Sequence, residues 1–239
     1  MPTRHIATLV RREVSPSWRT VFLYFQPEHP FVFTEGQFVM IETDERTPRK
    51  KPYSIATTHQ LMQLTWEIGF VVKQTSDQGM SAFLTQEIDI GAQVTFIGPV
   101  GHYVDRQQHK NYLLVSTGSG LGPNLAWHER LVHSGDFDKI VHLYGERTIE
   151  ELLPSTIGVL ASSTNVVTRF YMSRSPQWVD FPTDDFRHGY VQDGLHEALS
   201  VLWTTCTVAI CGQPNMVVDV RQRLIDMGVP SECIVVEKY

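Results

Sequence analysis

The sequence predicts two domains: an antiparallel β-barrel over residues 1–106, followed by an α/β domain with a doubly wound parallel sheet over 107–239. Two observations carry this prediction. The first hundred residues hold short β-branched and aromatic runs bounded by turn residues, the spacing of a sandwich or barrel. After His109-Lys110-Asn111, apolar strand-like runs alternate with helical stretches, which argues for a parallel sheet covered on both faces.

In the first half the strand candidates are Ile6 to Val14, Trp18 to Phe25, Gln37 to Thr43, Leu64 to Val72 and Val94 to Ile97. One helix is expected there, opening at Gly79 and Ser81 and carrying helix formers to Glu87. In the second half, strands are expected at Tyr112–Ser116, Ile140–Tyr144, Val166–Met172 and Thr207–Cys211, with a last strand from Ile234. Between them lie the helix candidates Pro123–His133, Ile149–Leu153, Gly194–Trp203 and Asn215–Met227. The domain boundary falls near Arg106 to Lys110.

Of 239 residues, 42% are hydrophobic and 19% charged, enough apolar material for a sizeable core. The net charge of -6 is spread along the chain, which argues against an extended nucleic-acid surface. Three cysteines without close spacing argue against both a disulfide framework and zinc, and they fit a reducing compartment. Ten histidines show no shared spacing with carboxylates, so no metal is expected. The start of the chain has no signal-peptide core, and no apolar stretch is long enough for membrane insertion. The expectation is a cytoplasmic monomer.

Three segments carry chemistry. Strand Tyr112–Ser116 runs into Thr117-Gly118-Ser119-Gly120-Leu121-Gly122-Pro123 and then a helix. In that setting glycines let the backbone approach a pyrophosphate, and the free N–H groups of the helix start face it; a tight turn without a ligand is the alternative. Thr207–Cys211 ends a buried strand, and Gly212 lets the chain turn close to a ligand before Pro214 opens a helix. The chain ends on the apolar run Ile234-Val235-Val236 followed by Glu237, Lys238 and Tyr239. A strand that ends this way can place a carboxylate and an aromatic ring inside a site.

In order along the chain, Lys51-Pro52-Tyr53-Ser54, the glycine loop, Cys211-Gly212-Gln213-Pro214 and the terminal Glu-Lys-Tyr resemble the ferredoxin-NADP reductase superfamily, most closely its plant-type members. The resemblance implies an FAD-dependent oxidoreductase. Lys51 to Ser54 look like the R-x-Y-S/T flavin motif, with Lys51 where the family has Arg. A lysine attracts phosphate as a point charge without the guanidinium fork, so flavin is expected to be held less firmly. Gly79-Met80-Ser81 match the family's G-x-x-S/T pattern one residue short, and a second phosphate contact there implies FAD over FMN. Phe70-Val71-Val72-Lys73 resemble the strand that passes the flavin ribose and phosphate; ordinary core packing is the alternative for the valines, and a solvated charge for Lys73.

The resemblance further implies that Ser54, Cys211 and Glu237 surround the nicotinamide and the flavin ring, with Tyr239 stacked on the flavin as a displaceable gate. Thr117, Gly118, Ser119, Gly120 and Gly212 would hold the nicotinamide nucleotide. Ser173-Arg174 resemble the pair that contacts the NADPH 2′-phosphate, with NADH also accommodated and Arg187 able to assist. No C-x4-C-x2-C run is present, so electrons must leave to a separate carrier such as ferredoxin or flavodoxin. The basic cluster Arg46, Arg49, Lys50, Lys51 could steer such an acidic partner. Two alternatives stay open: a flavin reductase using flavin as substrate, and a non-catalytic electron-transfer or regulatory subunit.

Overall fold

The computed structural model describes residues 3–43, 50–103, 109–176, 181–202 and 205–237. Among them the first half forms a six-stranded antiparallel sheet. Its strands are β1 (Thr3–Val14), β2 (Thr20–Pro27), β3 (Phe38–Thr43), β4 (Lys50–Ser54), β5 (Ile68–Lys73) and β6 (Gln93–Val100). The order β4-β3-β6-β1-β2-β5 leaves β4 and β5 at the two edges. The chain leaving β4 then bonds to β5, Ala56 N–H donating to the Gly69 carbonyl at 2.8 Å, so the sheet curls into a nearly closed barrel. Phe25, Phe31, Phe70 and Phe96 fill it with edge-to-face contacts, at centroid distances of 5.3 to 6.2 Å.

Two helices interrupt this half. The expected one begins at α2 (Met80–Ala82) and continues as a single π-helical turn, Phe83–Glu87. The other, α1 (His59–Thr65), lies partly where the sequence reads as strand from Leu64. Thr58 caps it by accepting from Leu61 N–H at 3.1 Å, and Trp66 ends it in the left-handed region. A side-chain cap and a local stop override the strand propensity of so short a run.

The second half is a six-stranded parallel sheet in the order β10-β9-β8-β7-β11-β12. Its strands are β7 (Asn111–Thr117), β8 (Lys139–Glu146), β9 (Val166–Met172), β10 (Phe186–His188), β11 (Thr207–Cys211) and β12 (Ile234–Glu237). The helices are α3 (Leu121–Ser134), α4 (Pro154–Val159), α5 (Leu195–Leu202) and α6 (Pro214–Asp226). All five residues of β11 are buried, as expected for a strand covered on both faces. Strand β10, three residues long, has no counterpart among the expected elements, and the helix expected over Ile149–Leu153 does not form. There the chain makes only a 3-10 turn, Ile149–Glu151, and Pro154 opens α4 instead.

The halves meet through one apolar cluster. Phe22, Tyr24, Ala56 and Val71 from the barrel pack with Leu121, Leu125, Tyr144 and Leu152 from the parallel sheet side. The α3 start therefore lies on the barrel's β4–β5 opening, with Gly122 facing Ser54, Ala56 and Val71.

Candidate active site

The direction of winding reverses between β7 and β11, so the loops leaving these neighbouring strands diverge and open a crevice at the carboxyl edge. Glycine is required at two places there. A Cβ on Gly120 would lie 2.4 Å from the Cys211 carbonyl oxygen. One on Gly212, which has φ +147, would lie 2.2 Å from Thr117 Oγ1. Thr117 Oγ1 accepts from Gln213 N–H at 3.2 Å, tying the two loops together. Gly118–Gly120 form a 3-10 turn that leads directly into α3.

Three of the side chains picked from sequence meet at this edge. Ser54, at the end of β4, donates its hydroxyl to Glu237 Oε1 at 2.7 Å. The Cys211 thiol donates to Glu237 Oε2 at 3.7 Å, and Cys211 and Glu237 are register partners on adjacent strands. The cluster thus joins the barrel to the last strand of the parallel sheet. Burial pushes the Glu237 carboxyl up to about 7, against the lowering effect of its Ser54 and Cys211 hydrogen bonds. Tyr239, the expected gate, lies outside the described residues, as do Arg46 and Arg49.

Beside this cluster lies a cavity of about 680 Å³, within the usual size of a small-molecule site. Its walls include Thr117, Gly118, Ser119, Gly212, Ser173 and Arg174, all picked from sequence, and Arg147 with them. Ser173 N–H donates to the Glu146 carbonyl at 2.9 Å and Arg174 N–H to the Arg147 carbonyl at 2.7 Å, which holds the β9 and β8 ends side by side. Arg187 does not line this cavity; its guanidinium donates to the Phe186 carbonyl at 2.9 Å and to that of Asp184.

Two features had no sequence signal. Lys73 is not a solvated charge: its ammonium bridges Glu146 and, at 2.6 Å, Glu151, both buried, across the junction of the two halves. Tyr144 OH donates to Glu146 Oε1 at 2.8 Å. In the second feature, Tyr103 OH donates to Asn124 Oδ1 at 2.9 Å. Asn124 Nδ2 in turn serves Ser116 Oγ and the Val115 and Ala209 carbonyls. This fixes β7 against β11 directly behind the crevice. Among the described residues no group of three or more His, Cys, Asp or Glu is arranged to hold a metal, and no helix is long and apolar enough to cross a membrane.

Two family models match the chain: an oxidoreductase FAD-binding domain over residues 7–104 and an oxidoreductase NAD-binding domain over 114–222. The chain is an oxidoreductase FAD-binding domain followed by an oxidoreductase NAD-binding domain. A toluate 1,2-dioxygenase electron transfer component from Pseudomonas putida is 24% identical over 95% of this chain, which spans 65% of that protein's length. The ferredoxin reductase of a carbazole 1,9a-dioxygenase has a TM-score of 0.83 at 20% identity, covering 98% of this chain and 68% of its own. A ferredoxin NADP+ reductase from Neisseria gonorrhoeae, solved with FAD and NADP, has a TM-score of 0.82 at 19% identity, covering 98% of both chains.

For a chain with these two domains, the test is whether the local geometry fits both cofactors. The nicotinamide nucleotide fits the cavity, whose glycine loop brings backbone N–H groups to the start of α3. On the flavin side, Lys51 and Pro52 are exposed and Tyr53 is half-buried on the edge strand β4. Gly79 takes φ +90 and leaves open space where its Cβ would be, and Ser81 Oγ lies 3.1 Å from Thr75 Oγ1. These residues fit an extended ligand along the barrel opening. The side chains of Phe70, Val72 and Met80 do not face it, since all three are buried in the barrel core. Val71 points instead into the junction cluster. Alternation along β5 leaves only backbone, and Lys73 at its end, for a ligand.

Proposed function

We propose that this chain is an FAD-dependent oxidoreductase that takes hydride from NAD(P)H and passes electrons singly to a ferredoxin- or flavodoxin-like carrier. The observation that carries the reading is the Ser54–Glu237–Cys211 cluster, assembled from both halves next to Gly212 and Gln213, which line the cavity. Bound FAD would supply the exchange between two-electron and one-electron transfer that no side chain here can perform.

The protein's part is position, charge and protons. Lys51, Tyr53, Ser54, Gly79 and Ser81 would hold the flavin, while Thr117 to Gly120 and Gly212 hold the nucleotide phosphates. Ser173 and Arg174 would receive a 2′-phosphate, which favours NADPH over NADH. Cys211 fills the floor of the crevice as a buried thiol and, with Ser54, fixes Glu237. With its carboxyl raised to about 7, Glu237 holds or releases a proton near neutrality, as an acid–base group must. Residues 1–106 would form the flavin domain and 107–239 the nucleotide domain, and Tyr239 would cover the flavin face until the nicotinamide displaces it.

The test is an absorbance spectrum of the purified chain, followed by anaerobic additions of NADPH and then NADH. Flavin absorbance that bleaches with NADPH supports the reading. Cofactor-free protein that also ignores added FAD overturns it. The exposed point charge of Lys51 favours one second reading, a reductase that releases flavin as substrate; loss of yellow colour on desalting, with NAD(P)H oxidation restored by free flavin, would select it.

A further inference from the structure

The floor of the nucleotide cavity has an unusual balance of charge. Lys73 and Glu146 both line it, and the ammonium lies 3.9 Å from where a Cβ of Gly118 would stand, beside the glycine loop. Two carboxylates, Glu146 from the end of β8 and Glu151 from the following 3-10 turn, converge on this one cation. All three side chains are largely withdrawn from water, at 13%, 1% and 7% exposure for Lys73, Glu146 and Glu151. A buried pair of carboxylates with a single ammonium between them is stable only if it is fully hydrogen-bonded and shares positive charge.

We propose that this bridge is a proton-linked gate on nucleotide binding: an entering pyrophosphate draws Lys73 toward the glycine loop, and Glu146 takes up a proton in its place. The proposal rests on the reading of the cavity as the nucleotide site. In the step itself, Lys73 keeps its three protons and exchanges a carboxylate acceptor for a phosphate oxygen. An O–H bond forms on Glu146, and the buffer supplies that proton.

Once Lys73 is shared, burial and the neighbouring Glu151 push Glu146 toward protonation, and the Tyr144 hydrogen bond opposes them. Tyr144, on its own strand, donates to Oε1 and stays protonated, because burial raises its phenol. Glu151 lies within hydrogen-bonding reach and can accept from a protonated Glu146. Ser173, from the β9 end, contacts only the Glu146 carbonyl. Arg147 and Arg174 line the same cavity, where a guanidinium fork matches phosphate geometry. Burial already lifts the Glu146 carboxyl to about 7, and Lys73 is the chief influence opposing this. Drawing Lys73 off, or bringing phosphate charge near, raises it further.

The experiment is calorimetric titration of NADP+ into the FAD-loaded chain at about pH 7.5, in two buffers of different ionisation enthalpy. The wild type and Glu146→Gln are compared. Any titration of the 2′-phosphate is common to both and cancels in the difference. The wild type is expected to take up roughly half a proton more per nucleotide than Glu146→Gln, and its Kd to rise about threefold more steeply per pH unit above 7. Difference infrared spectra with and without NADP+ should gain a protonated-carboxyl band in the wild type alone. Equal proton counts in the two proteins, with NADP+ bound by both, overturn the proposal and leave the site reading standing. A chain that binds neither NADP+ nor NAD+ removes both together. Should Glu146→Gln not fold, the wild-type infrared difference decides alone, and absence of the carboxyl band overturns the gate.

Discussion

Replacing Ser54 with alanine isolates the contact that joins the two halves at the proposed reaction centre. The Ser54 hydroxyl donates to Glu237 Oε1 at 2.7 Å and stabilises the ionised carboxylate, while burial acts the other way and leaves the group at about 7. A hydrogen bond to a charged group contributes about 1.5–3 kcal/mol. At about 1.36 kcal/mol per pKa unit, its loss should raise the carboxyl by about 1–2 units. The assay is anaerobic reduction of bound flavin by NADPH, followed by stopped flow across pH in the wild type, Ser54→Ala and Ser54→Thr. The ionisation near 7 should move to about 8–9 in the alanine variant and return toward 7 with threonine, which keeps a hydroxyl.

The same shift has a signature in stability. A carboxyl that holds its proton more tightly when folded contributes stability that is complete below its ordinary value of 4.5 and is lost as pH rises toward 7. In Ser54→Ala that loss should extend to about pH 8–9. A kinetic midpoint that stays put, or moves down, would refute the assignment of Glu237 as the titrating group held by Ser54.

Other outcomes follow from single contacts. Arg174→Ala should raise the KM for NADPH by about tenfold or more and leave that for NADH within about twofold, because only the 2′-phosphate contact is lost; equal effects on both coenzymes would count against that contact. Gly120→Ala drives a methyl group to 2.4 Å from the Cys211 carbonyl, so melting should report destabilisation of about 1–3 kcal/mol, together with weaker nucleotide binding. Glu129 is also raised to about 7 by burial, so Glu129→Gln should stabilise the protein by about 1 kcal/mol at pH 8 and leave it nearly unchanged at pH 4. Thermal melts at the two pH values check the sign.

The parts of the fold that were legible from sequence share one property: each is dictated by residues close together in the chain. The alternation of β7, α3 and β8 shows in apolar periodicity, and the glycine loop carries its own backbone requirement at Gly118 and Gly120. Helix α1 was hidden because its signal is a single cap at Thr58, and the residues after it, Ile68–Lys73, read as strand. The strand assignment for Phe70 to Lys73 holds, and of the two readings open for the valines the structure takes core packing, Val72 in the barrel and Val71 in the junction. Which face of an edge strand turns inward depends on barrel closure, and closure is set by partners far away in sequence.

Lys73 shows most clearly what a single chain of letters withholds. Its partners, Glu146 and Glu151, stand 73 and 78 positions away on the other half of the protein. None of the three carries a local motif for that pairing. Their meeting is a consequence of the apolar junction, where Phe22, Tyr24 and Val71 pack on Leu121, Leu125 and Tyr144 and bring the end of β5 under the end of β8. That same junction sets the 2.7 Å contact between Ser54 and Glu237. Among the polar links between the halves, one therefore lies at the proposed reaction centre and one under the proposed phosphate site. A shift of the halves that loosened either link would disturb the other, so under the proposed reading nucleotide occupancy and the state of Glu237 would be coupled through packing.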